Sequence, residues 1–179
     1  MTCIPLDTGK HFSSYVAAAF WHSNQVKVYN LSTQGSFDLL CETPCLKAPV
    51  KSLLFYNFGT SGKRNTEEYK AFLLVGLVDG TLASFKWSYQ APRGRAPEAS
   101  LTELKIFSVG HGPVSLSPVP ISNGTKAVMA VADKAVVISC PTKRLHISSL
   151  TLQVSDVSYA TLVLILCPGR QLFVSLSHG

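Results

Sequence analysis

The stretch Val75-Gly76-Leu77-Val78-Asp79-Gly80-Thr81-Leu82 places Asp-Gly between two apolar runs. Asp-Gly tolerates the positive φ angles of a tight type I′ turn, so the stretch predicts a β-hairpin with strands over Ala71 to Val78 and Thr81 to Trp87. The same shape returns at Ala130-Val131-Ala132-Asp133-Lys134-Ala135-Val136-Val137, with Asp-Lys at the turn. A looser copy runs from Ala18 through Phe20-Trp21-His22-Ser23-Asn24-Gln25 to Val26. The copies recur at about 55 residues, close to the period of repeat units built from one small sheet each.

Further short runs rich in β-branched and aromatic residues lie around these hairpins. Tyr15 to Phe20, Gln25 to Leu31, Lys51 to Phe58 and Leu104 to Val109 read as strands, as do Lys126 to Ala132, Ala135 to Cys140 and Leu145 to Leu150. Thr161 to Leu166 and Gln171 to Leu176 are the last candidates. Asn57 to Lys70 and Ser88 to Ala99, rich in Gly, Ser, Pro and charge, read as surface loops. The one helical candidate, Thr66 to Ala71, is a single turn, too short to persist alone.

Two strands between successive hairpins complete a four-stranded unit, the blade of a β-propeller. The expected fold is all-β: a partial propeller of about three to four four-stranded antiparallel blades, WD40-like in type. Residues 1–160 form this incomplete propeller and residues 161–179 a divergent C-terminal tail. Closed propellers use roughly 4–8 blades, and open sheets carry unpaired edges. The reading is therefore a truncated product, or a chain that closes with a partner segment.

Composition narrows the function classes. Charged residues make up 15% of the 179, well under the roughly 25% of ordinary soluble domains, which points to surface that is normally covered. The net charge of +6 is scattered over Lys63-Arg64, Arg93 with Arg95, and Lys143-Arg144, with no run long enough for a basic arm. The run Leu162 to Cys167 is far shorter than the ~20 residues of a spanning helix, so no membrane role is expected. Five irregularly spaced cysteines without a secretory leader suggest free thiols in a reducing compartment.

No chemistry-bearing constellation stands out. Cys41 and Cys45 form the one close cysteine pair, and His22 and His111 are too distant to complete a zinc set, so no metal or cofactor is expected. Gly110-His111-Gly112-Pro113 lacks the third glycine and following helix of a phosphate loop and reads as the linker into a new blade. No serine sits in a nucleophile elbow and the 10 acidic residues show no pairing, so the chain is not expected to be an enzyme.

The segments Val16 to Tyr29, Ala71 to Phe85, Gly110 to Leu116 and Ala127 to Ser139, taken in order, resemble a known family. It contains the large subunit of the damaged-DNA-binding complex, the largest subunit of the cleavage and polyadenylation specificity factor, and a propeller subunit of splicing factor 3b. The order is most similar to the second propeller of the first of these. The resemblance covers roughly residues 12 to 160 and fades after Tyr159.

This resemblance implies a non-catalytic scaffold. Its nearest form is the adaptor that links a cullin-RING ubiquitin ligase to substrate receptors in DNA damage repair, in the nucleus and also in the cytoplasm. The alternative it implies is a scaffold subunit of a polyadenylation or splicing complex, with nucleic acid bound through the complex. Trp21, followed by His22 and Asn24, matches the position where the family contacts the cullin, which makes these three the partner-binding candidates. Two readings of Trp21 stay open: an interface anchor on the propeller rim, or a ring packed under its own turn. Trp87 is expected between blades, Gly76 where a neighbouring strand comes close, and Asp79, Gly80 and Asp133 in turns.

Overall fold

The structure is a computed structural model that describes residues 2–4, 15–20, 22–32, 35–59, 70–90, 98–120, 126–142, 144–150, 161–166 and 172–177. Its elements are strands: β1 (Thr2–Ile4), β2 (Tyr15–Phe20), β3 (Gln25–Leu31), β4 (Phe37–Glu42), β5 (Val50–Asn57), β6 (Ala71–Leu77), β7 (Thr81–Gln90), β8 (Glu98–Ser108), β9 (Ser115–Pro120), β10 (Lys126–Val131), β11 (Ala135–Ser139), β12 (His146–Leu150), β13 (Thr161–Leu166) and β14 (Leu172–Ser177). They form three four-stranded antiparallel sheets in sequence order, β1–β4, β5–β8 and β9–β12, and an antiparallel pair β13–β14. The all-β, partial-propeller expectation holds. The three hairpin loops begin at residues 22, 78 and 132 or one residue before, which keeps the repeat near the expected ~55 residues.

Sheet stacking explains the burial pattern of β6, where every residue from Ala71 to Leu77 is buried. A strand buried on both faces loses the usual alternation and reads as a continuous apolar run. Leu73, Val75 and Leu77 face the first sheet and share a core with Ala17, Val26, Val28, Phe55, Phe85 and Trp87. Phe72 and Leu74 face the third sheet and share a core with Leu82, Val128, Ala130, Val136 and Ile138. Each fully buried Leu or Val contributes about 1.5–3 kcal/mol relative to exposure, so the middle sheet is fixed from both sides. The strands β1, β5 and β9 lie side by side along one edge, as in sheets that fan from an axis.

Trp87 sits between the first and second sheets, 3% exposed, as its position predicted. Its ring meets Phe55 at 5.2 Å and Tyr15 at 5.6 Å, both edge-on, and stacks on Tyr89 at 6.5 Å. Burial, with the hydrogen bond to Tyr89 second, pushes the Tyr15 hydroxyl well above its ordinary range.

Several local expectations are corrected. The Asp79-Gly80 turn is not type I′, which needs positive φ at both central residues. Gly80 has φ 83°, whereas Asp79 lies outside that region and its Oδ1 accepts from the Thr81 N–H at 3.0 Å. The result is a three-residue loop with its glycine in the left-handed position. The loop predicted over Ser88 to Ala99 is shorter, since β7 runs on to Gln90 and β8 begins at Glu98. Asn57, read both within the strand Lys51 to Phe58 and as the start of a loop, ends β5, and its Oδ1 accepts from Gly59 N–H at 2.9 Å and Lys70 N–H at 3.2 Å, closing the loop at its base. The helical turn proposed over Thr66 to Ala71 lies mostly outside the described residues, and Ala71 itself opens β6.

Candidate functional site

The three hairpin loops lie at one end of their sheets, and the two connectors between sheets bind them together. The first connector, residues 43–49, returns to the first hairpin: Leu46 N–H donates to the Asn24 carbonyl at 2.9 Å and Thr43 Oγ1 accepts from Val26 N–H at 3.0 Å. It then reaches the second hairpin, where Val78 N–H donates to the Pro49 carbonyl at 3.1 Å. The second connector, residues 109–114, repeats the scheme. Val109 N–H donates to the Gly80 carbonyl at 2.9 Å, and His111 N–H donates to Asp133 Oδ1 at 2.7 Å. One rim thus carries three loops held together by hydrogen bonds from the two connectors.

Glycines permit this closeness. A Cβ on Gly80 would run into the Gly110 carbonyl, and one on Gly110 would run into the Asp133 carboxylate. Gly76 faces the third sheet, where Ser52 Oγ donates to the Val114 carbonyl at 2.7 Å and fills the space a Cβ would take. The close approach predicted for Gly76 is therefore present, and Gly110 to Pro113 does lead from the second sheet into the third.

His22 is exposed at the tip of the first hairpin. Asn24 is only half exposed and holds φ 48°, a conformation asparagine tolerates better than most residues, with its carbonyl engaged by Leu46. Its part in the loop is therefore structural, whatever its side chain touches. Trp21 lies outside the described residues. Residues that sequence reading passed over also shape the rim. Thr43, 1% exposed, satisfies Val26, and Asp133 is more than a turn residue because it caps a loop 22 positions away.

The electrostatics of the rim are modest. The His111 N–H first, then other backbone donors, hold the Asp133 carboxyl below its ordinary value. Burial pushes the Cys41 thiol up to about 11, which leaves it protonated and weakly nucleophilic near neutral pH. Cys41 and Cys45 are free thiols, and the Cys140 thiol donates to the Thr142 carbonyl at 3.2 Å. Among the described residues no three His, Cys, Asp or Glu side chains gather closely enough to hold a metal ion. What the rim offers chemically is shape and hydrogen-bonding loops on a rigid support, the equipment of a binding surface.

Stacked four-stranded sheets, a loop rim at one end and a ~55-residue repeat are the marks of one architecture, and a family model matches residues 1–165, nearly the whole chain. The chain belongs to the RSE1/DDB1/CPSF1 second β-propeller family. The propeller assignment reached from the hairpin series is thereby confirmed, and with it the role of a scaffold domain. No curated protein matches the chain.

Proposed function

We propose that this propeller segment is a non-catalytic adaptor surface of the cullin-RING ubiquitin ligase type, acting in the nucleus in DNA damage repair, with Trp21, His22 and Asn24 at its partner-binding rim. The observation that carries the reading is the first hairpin. Its tip presents His22 to solvent while Asn24 and Val26 are tied to the connector behind it, so residues 22–26 are braced from behind. A pre-ordered loop loses little entropy on binding, which suits a docking surface. The family supports a scaffold role, and the adaptor role extends it to one class of complex.

A second reading, a scaffold of an RNA-processing complex, draws on the +6 net charge and on Lys86, Lys105 and Arg144, whose charges all act on Glu103 near the outer edge of the second sheet. One set of titrations separates the two. The intact protein is titrated with a purified cullin scaffold and with a single-stranded RNA, each over a range of salt. The adaptor reading expects cullin binding that weakens about 10-fold or more in Trp21→Ala, the loss typical of an interface anchor. Cullin binding unchanged by Trp21→Ala and His22→Ala removes these residues from the interface. RNA binding with a steep salt dependence and no cullin binding overturns the adaptor reading in favour of the second.

A further inference from the structure

The strands β8 and β12 are the outermost of the second and third sheets. The core between these sheets ends in partly exposed Phe107 on one wall and partly exposed Leu145 and Ile147 on the other. Strand alternation carries Leu82, Ser84 and Lys86 of β7 to this side, since Leu82 belongs to that core whereas Ala83 and Phe85 belong to the other. Phe107 pairs with Leu82 and Lys105 with Ser84, so Lys105 stands on this side as well. Arg144, exposed, directly precedes Leu145. The outer side of the two sheets thus forms a groove with an apolar floor and a cationic lip.

A bulge in β8 sets one carboxylate into this groove. Between the pairs Ser84–Lys105 and Lys86–Thr102, the two residues Glu103 and Leu104 stand opposite Phe85 alone. Bulges of this kind re-aim a side chain. Glu103 takes φ 51°, unfavourable for a residue with a Cβ, and its Oε1 accepts from the Lys86 ammonium at 2.7 Å. The charges of Lys105 and Arg144 bear on it too. Glu103 therefore shows how the groove receives a carboxylate, and it balances one of three cations. Among the described residues no carboxylate pairs with Lys105 or Arg144. Ser84, the cross-strand partner of Lys105, is buried, and among the described residues its hydroxyl has no hydrogen-bond partner. An unpaired buried hydroxyl is costly, and an acceptor entering the groove relieves it.

We propose that this groove docks an acidic segment of a partner protein, with its carboxylates on Lys86, Lys105 and Arg144 and its apolar side chains on Phe107, Leu145 and Ile147. Complementary charge selects the sign of the partner. The floor selects a peptide, because a phosphate backbone uses the cations but leaves the aliphatic side chains of Leu145 and Ile147 uncovered. Glu103 competes with the incoming acid for Lys86, so it limits the affinity of the groove. The lining residues are not those of the hairpin rim, and the proposal does not depend on which partner the rim binds.

Fluorescence anisotropy on the intact 179-residue chain tests this. The probes are a short labelled peptide alternating Glu and Leu, the same peptide with Lys for Glu, and an oligouridine. The Glu peptide should bind, the Lys peptide should not, and added salt should weaken the binding. Lys105→Glu and Arg144→Glu together should weaken it by at least about 10-fold, because like charges then face each other. Neither side chain belongs to a core, so this variant keeps the fold, checked by circular dichroism. Glu103→Gln, which removes the competing carboxylate, should tighten the Glu peptide by roughly 3-fold. No binding of the Glu peptide, equal binding of the Lys peptide, binding that the double reversal leaves unchanged, or weaker binding in Glu103→Gln would each overturn the proposal. Oligouridine binding tighter than the Glu peptide and lost in the double reversal would overturn it in favour of nucleic acid.

Discussion

Asp133 keeps its negative charge for the sake of a neighbour in the connector that leads into its own sheet. It is fully solvent-facing, yet its Oδ1 takes the His111 N–H at 2.7 Å, and its carboxyl is held below its ordinary value of 3.8 chiefly by that bond. A carboxylate whose native pKa is depressed contributes stability that is whole above the unfolded-state value and is lost as pH falls through the native one. In Asp133→Asn the hydrogen bond persists without its charge, so the variant should melt lower than wild type at pH 7. The gap between the two melting temperatures should close as pH drops below about 4. A gap of constant size from neutral to acid pH would show that the carboxylate charge plays no part in holding the connector.

At the scale of the element, β6 shows why part of the fold could be read directly and part could not. Its apolar run announced a strand, and the Asp79-Gly80 hairpin announced its partner; that it is buried on both faces emerged only from the stacked sheets. By contrast β9 carries Pro118 and Pro120, which argue against a strand unless it lies at a sheet edge, and β9 is an edge of its sheet. β4 was missed because Phe37 and Leu39 alternate with polar residues yet turn outward, and β1 has only three residues. The rim was half legible. Turn chemistry placed its loops, but Thr43 and Asp133 act across 17 and 22 positions, pairings that only the folded chain reveals. Gly76 was read correctly, and it supplies the test at this scale. Gly76→Ala should cost about 1–3 kcal/mol by crowding Ser52 and Val114. Ser52→Ala should cost about 1 kcal/mol for its lost bond to Val114. Because Ser52→Ala also removes the oxygen the new methyl meets, the double variant should cost less than the two singles together in urea denaturation. Strict additivity would mean that the strain comes from elsewhere.

At the scale of the molecule, stability passes from sheet to sheet through the middle one. Leu73 and Leu74 are adjacent in sequence, both 0% exposed, and serve different interfaces: Leu73 faces the first sheet and Leu74 the third. Each Leu→Ala change should cost about 2–5 kcal/mol by leaving a cavity. Where each sheet touches only its neighbours, such a loss falls first on the interface that bears it. Native-state hydrogen exchange should therefore separate two nearly identical substitutions. Leu73→Ala should lower protection in β2 and β3 more than in β10 and β11, and Leu74→Ala should do the reverse. The reason is geometric: one step along β6 carries a side chain through the sheet to the other core. Equal loss of protection across all three sheets in both variants would mean that the sheets unfold as a single cooperative unit, and that the two cores, although separate in space, are one in energy.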